Sequence, residues 1–167
     1  MPVPVEIERK YIIEMPPSLE MEKEKDYSVS DITQIYLESE KGVTRRVRKR
    51  VFSDRVEFFE TVKRRIDKIS SYEDEKRISP EEYEKLSAQL AAGTRPIVKR
   101  RHRFVFQGNP IEIDVYPEWK NSAIMETELS NREDEVSLPS YIVIKREVSG
   151  VFEYSNAAMS RRFPEEE

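Results

Sequence analysis

Two carboxylates and an ammonium group occupy alternate positions near the start of the sequence, in Glu6-Ile7-Glu8-Arg9-Lys10. Successive side chains of a β-strand point to opposite faces, so a strand here would place Glu6, Glu8 and Lys10 on one face. Carboxylates bind hard divalent cations, and a lysine binds phosphate. A face that carries both groups indicates a metal-dependent site for a polyanion, provided that the rest of the chain also forms strands.

Eight segments have the period of two that is typical of strands. Asp54 and the run Gly108-Asn109-Pro110 supply turn residues between neighbouring segments. Adjacent strands joined by short links imply an antiparallel meander, so a mainly β fold is predicted. The predicted strands span residues 4–13, 32–38, 43–52, 57–65, 72–79, 96–106, 110–116 and 123–129.

One segment has the pattern of a helix. Ser79 is a good N-cap residue, Pro80 suits the first helical position, and Glu82 follows three residues after the cap. Gly93 is the expected end of this helix. A second, short helix is predicted between Val151 and Ser160, whereas residues 14–30 and 131–150 have no clear pattern.

The charged side chains on the predicted strands are sorted by sign. A strand face in water usually mixes acids and bases, although a sheet with one solvated, charged face remains the simple alternative. About eight strands also suffice to close a barrel that holds a small ligand. Such a lumen requires bound ions or acid–base pairing. Acids alone occur as Glu73 and Glu75, Glu112 and Asp114, and Glu126 and Glu128; bases alone occur as Arg46, Arg48 and Arg50, Lys63 and Arg65, and Lys99, Arg101 and Arg103.

Composition limits the classes of protein. The net charge of −4 gives no overall basic field to attract nucleic acid, which is not an expected partner. Two basic runs, residues 45–50 and 99–103, leave RNA binding as an alternative. The absence of cysteine excludes disulfides and thiolate metal sites.

Length and hydropathy predict one domain over residues 1–167. The N-terminal residues 1–4 do not have the features of a signal peptide. No apolar run approaches the ~20 residues that a membrane helix needs. A cytoplasmic protein without a membrane partner is therefore expected, and a homodimer is left open.

The charged motifs, taken in order, resemble the CYTH superfamily, the triphosphate tunnel metalloenzymes, and within it the short bacterial inorganic triphosphatases. The resemblance covers nearly the whole chain, and its order makes it specific. The hallmark Glu-x-Glu-x-Lys is Glu6 to Lys10, and the other matching elements are Thr33-Gln34-Ile35-Tyr36-Leu37, Arg46-Val47-Arg48, Thr61-Val62-Lys63, Lys99-Arg100-Arg101, Glu112-Ile113-Asp114, Glu126-Thr127-Glu128, and the segment from Glu147 to Asn156.

The resemblance implies a mainly β (α+β) fold, an eight-stranded antiparallel closed barrel that forms a tunnel, with a few peripheral helices. It implies Mg²⁺ or Mn²⁺ as cofactor and a small-molecule triphosphate as substrate. The implied metal ligands are Glu6, Glu8, Glu112, Asp114, Glu126 and Glu128. The implied substrate-binding residues are Lys10, Arg46, Arg48, Lys63, Lys99 and Arg101. The implied catalytic residues are Glu6, Glu8, Lys10, Glu126 and Glu128.

The expected reaction is metal-dependent hydrolysis of inorganic tripolyphosphate to pyrophosphate and phosphate. Adenylyl cyclase chemistry, hydrolysis of nucleoside or thiamine triphosphate, and binding of polyphosphate without catalysis remain alternatives. Neither the histidine nor the tryptophan is assigned to the site. His102 is expected on the outer surface, and Trp119 is expected to pack rather than stack on a substrate.

Overall fold

The structure, a computed structural model, describes residues 5–167 and contains one antiparallel sheet of nine strands. The strand order is β5-β4-β3-β2-β6-β7-β8-β1, and a pairing between β1 and β5 closes these eight strands into a barrel. The mainly β closed barrel is therefore confirmed. The strands are β1 Val5–Glu14, β2 Lys25–Leu37, β3 Val43–Val51, β4 Val56–Arg65, β5 Ser70–Arg77, β6 Ile97–Phe106, β7 Asn109–Val115, β8 Ser122–Glu128 and β9 Ile144–Glu147.

Most strand ends lie within two residues of their predicted positions, but β2 begins at Lys25 rather than at residue 32. Asp26 has a positive φ of 56°, and the pairing with β6 shifts register between Lys25 and Ser28. Because of this irregularity, the first part of β2 does not show the period of two from which a strand is predicted. β9 was not predicted because its four residues are all exposed and carry no apolar alternation. Pro4, the predicted start of β1, lies outside the described residues.

The helices are short: α1 Ser18–Met21, α2 Pro80–Ser87 and α3 Asn156–Met159, with a 3₁₀ helix at Phe152–Tyr154. The N-cap of α2 is confirmed, because the Glu82 amide donates to the Ser79 hydroxyl at 3.1 Å.

Two predictions of helix length were wrong. The predicted helix up to Gly93 ends instead at Ser87, because Leu90 pairs with Leu37 at the end of β2. The predicted helix from Val151 to Ser160 is two pieces, since Ser155 between them has extended backbone and caps α3 through its hydroxyl.

The apolar side chains of the strands cover much of the outside of the barrel. Phe104, Ile111 and Met125 point outward from β6, β7 and β8 and are fully buried against neighbours that include Met21 of α1. On another side Val47 of β3 packs beneath α2. Burial of these outer faces drives folding, and the alternation of the strands then directs the charged side chains inward.

The C-terminal segment packs at one end of the lumen. Ile12 and Ile124, whose side chains share the inward parity of β1 and β8, join Tyr154 and Met159 in one buried apolar cluster. Trp119 belongs to the same cluster and donates its indole N–H to the Pro164 carbonyl at 3.0 Å, so the expectation that it packs is confirmed.

The barrel closes at a divided edge of β1. The first residues of β1, 5–7, pair with β5, whereas residues 11–13 pair with β9. Between these two pairings the Glu8 amide donates to the Ile69 carbonyl at 2.8 Å and the Lys10 amide to the Ser149 hydroxyl at 2.9 Å. β9 is therefore an addition to the expected eight strands.

Within residues 5–167 no helix is long and apolar enough to cross a membrane. Residues 1–4, on which the expectation about a signal peptide rests, lie outside the described residues.

Candidate active site

The lumen contains a cavity of about 530 Å³. Its charged wall is built from the inward positions of the strands, because side chains two residues apart share a face. All but one of the residues predicted for the site line it: Glu6, Glu8, Lys10, Arg46, Arg48, Lys63, Lys99, Arg101, Glu112, Glu126 and Glu128.

Asp114 is the exception, and its predicted role as a metal ligand is not supported by its environment. Its carboxylate is buried beneath the cavity wall, with 2% of the side chain exposed. Arg101 donates to both oxygens, Nε to Oδ1 at 2.8 Å and Nη2 to Oδ2 at 2.9 Å, and the Lys99 ammonium lies 2.8 Å from Oδ2. With both oxygens engaged, Asp114 instead fixes two bases of the lumen. Burial opposes ionisation, but these bases outweigh it and hold the pKa of Asp114 far below its usual range.

Arg48 at the centre of the lumen lacks counter-charge. No carboxylate of the described residues forms an ion pair with Arg48, and its buried Nε has no hydrogen-bond partner there. Burial, followed by repulsion from Arg46 and Arg101, lowers the pKa of Arg48 to about 9. Burial likewise lowers the pKa of Lys99 to about 7 despite the attraction of Asp114. Desolvated cations with unused donors make this part of the lumen a strong site for an anion.

The acidic side chains of the lumen lie in pairs. The carboxyl group of Glu6 lies beside that of Glu73, and the carboxyl group of Glu8 lies beside that of Glu126. Burial, then the neighbouring carboxylate, raises the pKa of Glu6 to about 7 and that of Glu8 to about 8. Burial also acts on Glu126, but Lys10 and Arg101 outweigh it and lower its pKa. Glu6 and Glu8 are therefore carboxyl groups whose charged forms a bound cation would favour.

Acids and bases also pair within the lumen. Lys10 lies 3.8 Å from Glu126, Lys63 lies 3.5 Å from Glu8, and Arg46 lies 3.6 Å from Glu73. These separations are long for ion pairs with direct hydrogen bonds. They leave both signs of charge available to ligands.

The carboxyl pairs fit a divalent cation, although no group of three or more acidic or histidine side chains in the described part of the chain surrounds a common point. Mg²⁺ binds one or two carboxylates and retains several waters, and its other ligands are phosphate oxygens. Mn²⁺ favours the same oxygen donors. Two carboxyl pairs, which offer oxygen donors alone, lie beside cationic groups that can hold the phosphates, and this arrangement meets those requirements.

Several lumen residues were not assigned to the site from the sequence. Glu73 and Glu75 have the alternation of lumen-facing residues. Their assignment to the site was uncertain from the sequence, because the bases Lys76 and Arg77 follow them. In the structure Lys76 points outward to Glu60 at 3.4 Å, while Glu73 remains in the lumen between Arg46 and Lys63. The same parity rule also identifies three arginines and one tyrosine in the cavity wall: Arg50, Arg65, Arg103 and Tyr36.

Two basic residues of the segment 131–150, for which the sequence showed no clear pattern, lie outside the lumen. Lys145 of β9 donates to the Ser122 hydroxyl at 2.7 Å, and Arg146 pairs with Glu167. His102 points away from the lumen as predicted, but it is buried rather than on the outer surface, and its Nδ1 lies 2.9 Å from the Tyr27 hydroxyl.

Several solved structures have a similar fold. The inorganic triphosphatase NE1496 aligns over 95% of this chain and 96% of its own, with 22% identity and a TM-score of 0.60. The PH1012 protein from Pyrococcus horikoshii OT3 aligns over 77% of this chain and 81% of its own, with 21% identity and a TM-score of 0.57.

HpAC1 from Hippeastrum, an adenylyl cyclase candidate with a dominant triphosphatase activity, aligns over 77% of this chain and 81% of its own. Its identity is 16% and its TM-score 0.56. At these identities the likeness establishes the fold, so the closed eight-stranded barrel expected from the CYTH resemblance is confirmed as a fold. No protein-family model matches the sequence, and no curated protein matches it significantly.

Proposed function

We propose that the protein is a member of the CYTH superfamily and hydrolyses the terminal phosphate of a triphosphate with the help of a divalent metal ion. The preferred substrate is inorganic tripolyphosphate, which yields pyrophosphate and phosphate. The observation that carries this proposal is the group of buried bases around Arg48. These bases have hydrogen-bond donors without partners, and their positive charge exceeds the negative charge of the carboxylates paired with them. A polyanion of small cross-section is the ligand that such a lumen would stabilise most.

The basic residues would hold the substrate in an extended position along the lumen. The guanidinium groups of Arg46, Arg48 and Arg101 suit two-pronged contacts with phosphate oxygens, and Lys99 acts as a compact charge. Hydrolysis of a phosphoanhydride depends mainly on positioning and on neutralising charge as the bond breaks. A wall of fixed cations supplies both, because its groups are already oriented before the substrate binds.

The carboxylates would hold the cation and order the attacking water. Glu6 and Glu8 of β1, with Glu126 and Glu128 of β8, would be its main ligands, and Glu112 a further one. Mg²⁺ or Mn²⁺, when bound there, supplies a Lewis acid that polarises phosphate oxygens. A carboxylate not engaged by the cation would accept a proton from the water.

Two further observations support a small ligand inside the lumen. The neighbour NE1496 is named an inorganic triphosphatase, and HpAC1 is described by its triphosphatase activity. The outward arginines of the two basic runs are paired with acids, Arg45 with Glu60 at 2.6 Å and Arg100 with Asp31 at 2.9 Å. RNA binding would instead require unpaired bases on the outer surface.

The direct test is phosphate release from tripolyphosphate, ATP and thiamine triphosphate, measured in parallel with Mg²⁺, with Mn²⁺ and with a chelator. We expect the fastest release from tripolyphosphate and none with the chelator. A preference for ATP would shift the proposal to a nucleotidase, or to a cyclase if the products are cyclic AMP and pyrophosphate. Absence of release from all three would contradict the proposed hydrolase.

Glu126→Gln should separate an enzyme from a protein that only binds polyphosphate. We expect kcat to fall about 100-fold, a typical loss for removal of a group that takes part in proton transfer, while tripolyphosphate still binds. Steady-state rates and calorimetric titration of the same preparation provide the measurement. Glu147→Gln is the matched control, because Glu147 lies on β9 beside Arg9 and does not line the lumen cavity. An unchanged kcat in Glu126→Gln would remove Glu126 from the reaction.

Binding of tripolyphosphate at pH 8 should be accompanied by uptake of a proton at Lys99. Because the pKa of Lys99 is lowered to about 7, its side chain is largely neutral at pH 8 and is charged below pH 7. A bound anion favours the charged form, so affinity should fall as the pH rises above 7. Calorimetry with chelator, in buffers of different ionisation enthalpy, measures the uptake. Lys99→Met should abolish the part of the proton uptake that is due to Lys99. Equal proton uptake by the variant and the unmodified protein would refute the assignment of this proton to Lys99.

A further inference from the structure

A second, smaller cavity lies beside the lumen at the divided edge of β1. Its volume is about 120 Å³. Part of its wall comes from the turn after β9 and from the hairpin loop between β4 and β5. Five of its wall residues also line the lumen cavity, so the two spaces are neighbours: Glu8, Lys10, Arg65, Phe152 and Ser155. We call this space the side pocket.

The side pocket has an excess of positive charge. Lys10, Arg65 and Lys68 line it, and Glu8 is its single acidic wall residue. Arg65 is held in place through its Nη1, which donates to the carbonyls of Asp67 and Lys68 at 3.2 Å each. Across residues 5–167 no carboxylate forms an ion pair with Lys68. The pocket therefore has a cationic group that lacks an ion-pair partner among the described residues.

The backbone around the side pocket is tightly built. Val148 and Val151 are joined by a turn, with the Val151 amide donating to the Val148 carbonyl at 3.0 Å. Gly150 in this turn has a φ of +70°, which favours glycine. A Cβ on Gly150 would lie 2.8 Å from the Lys68 Cα, so a side chain here would displace the hairpin loop. The close approach of the two backbones fixes Lys68 at the pocket wall.

We propose that the side pocket is a second anion-binding site, which takes orthophosphate next to the triphosphate in the lumen. The side pocket is much smaller than the lumen cavity, about 120 Å³ against about 530 Å³, so it suits a single tetrahedral oxyanion better than a chain of three phosphates. The proposal rests on the proposed function to the extent that hydrolysis supplies this anion. Water adds to the terminal phosphorus, the bridging P–O bond breaks, pyrophosphate leaves with the bridging oxygen, and orthophosphate is released beside Lys10.

The side pocket then has a consequence for turnover. Orthophosphate retained there would sit beside Lys10, and the enzyme would be inhibited by orthophosphate even when the lumen is saturated with substrate. Lys68 is the residue that distinguishes the two sites, because it lines the side pocket and not the lumen cavity.

The test is titration of inorganic phosphate into the resting protein with chelator present, with and without saturating tripolyphosphate. We expect orthophosphate to bind in both cases, and Lys68→Gln to weaken this binding about tenfold, the loss expected for one charge-assisted contact. Glutamine retains the Cβ and Cγ that pack against the turn. Lys85→Gln, on the exposed side of α2, is the matched control for a loss of charge. Since no turnover is needed, the result does not depend on the proposed activity.

Two outcomes would overturn the proposal. One is an orthophosphate affinity that is the same in Lys68→Gln as in the unmodified protein, or that falls equally in Lys85→Gln. The other is complete displacement of orthophosphate by tripolyphosphate, which would assign both anions to the lumen. If the protein proves to be a triphosphatase, Lys68→Gln should also relieve inhibition by orthophosphate while the KM for tripolyphosphate stays within about twofold, because no lumen contact is lost.

Discussion

Asp114→Asn should lower the free energy of unfolding by about 3–5 kcal/mol, the usual cost when one partner of a buried ion pair is removed. Asp114 neutralises Lys99 and Arg101, which are themselves buried. An asparagine of the same size preserves packing but leaves Lys99 without its ion-pair partner, and leaves Arg101 with Glu112 as its remaining one. Denaturant unfolding, analysed at constant m-value, measures the difference.

Asp31→Asn is the matched control, because Asp31 also forms a pair with an arginine, Arg100, but on the surface with 59% of each side chain exposed. We expect a change of less than about 1 kcal/mol there. An Asp114→Asn protein that is as stable as Asp31→Asn would mean that the buried bases do not need this carboxylate.

The pH dependence of stability gives a second measurement for Asp114. Its pKa is depressed in the folded protein, so its stabilising effect is fully present above the unfolded value of about 3.9. The effect is lost as the pH falls from there towards the folded pKa, because the unfolded state binds the proton first. Asp114→Asn should lack this part of the acid destabilisation, and identical acid profiles would contradict the assignment.

Arg48→Gln should have opposite effects on function and stability. We expect kcat/KM for tripolyphosphate to fall about 10²–10³-fold, as when a preoriented donor is removed from an active site. The free energy of unfolding without ligand should stay the same or rise, because Arg48 is desolvated and repelled by Arg46 and Arg101. Steady-state kinetics and denaturant unfolding of one preparation test both expectations.

Arg45→Gln is the control, for which we expect a loss of stability without a loss of activity. Arg45 precedes Arg46 on β3 but points outward, where it pairs with the buried carboxylate of Glu60. Its loss should reduce stability and leave kcat/KM within about twofold. If Arg48→Gln lost stability and retained its activity, the inward, ligand-binding position of Arg48 would be wrong.

The fold was largely predictable because its signals are local. Each strand has its own alternation, and the charged motifs follow one another in the order of a known tunnel barrel. β9 escaped prediction since it is held by pairing with β1 and not by an apolar pattern of its own. The early start of β2 was hidden by the register shift near Asp26.

The sequence predicted which residues of the candidate site face inward. It did not predict which of these residues contact one another. Asp114 and Glu126 follow the same pattern in the sequence, yet Asp114 is sealed beneath the wall by two bases, whereas Glu126 lines the cavity. The place of Glu73 in the site was uncertain because of its neighbours in the sequence. In the folded chain it lies beside Glu6, which is far from it along the sequence. The roles assigned to the site residues remain predictions for the experiments above.

The sequence by itself determined which side chains share a face, because the period of a strand depends only on the local backbone. Only the tertiary structure decided which charges meet inside the lumen. Those contacts join β1 to β5 and β8, and they depend on the register at which the barrel closes. The side pocket likewise arises where one edge of β1 passes from β5 to β9. Closure brings together residues that are far apart along the chain, so no local pattern can specify them.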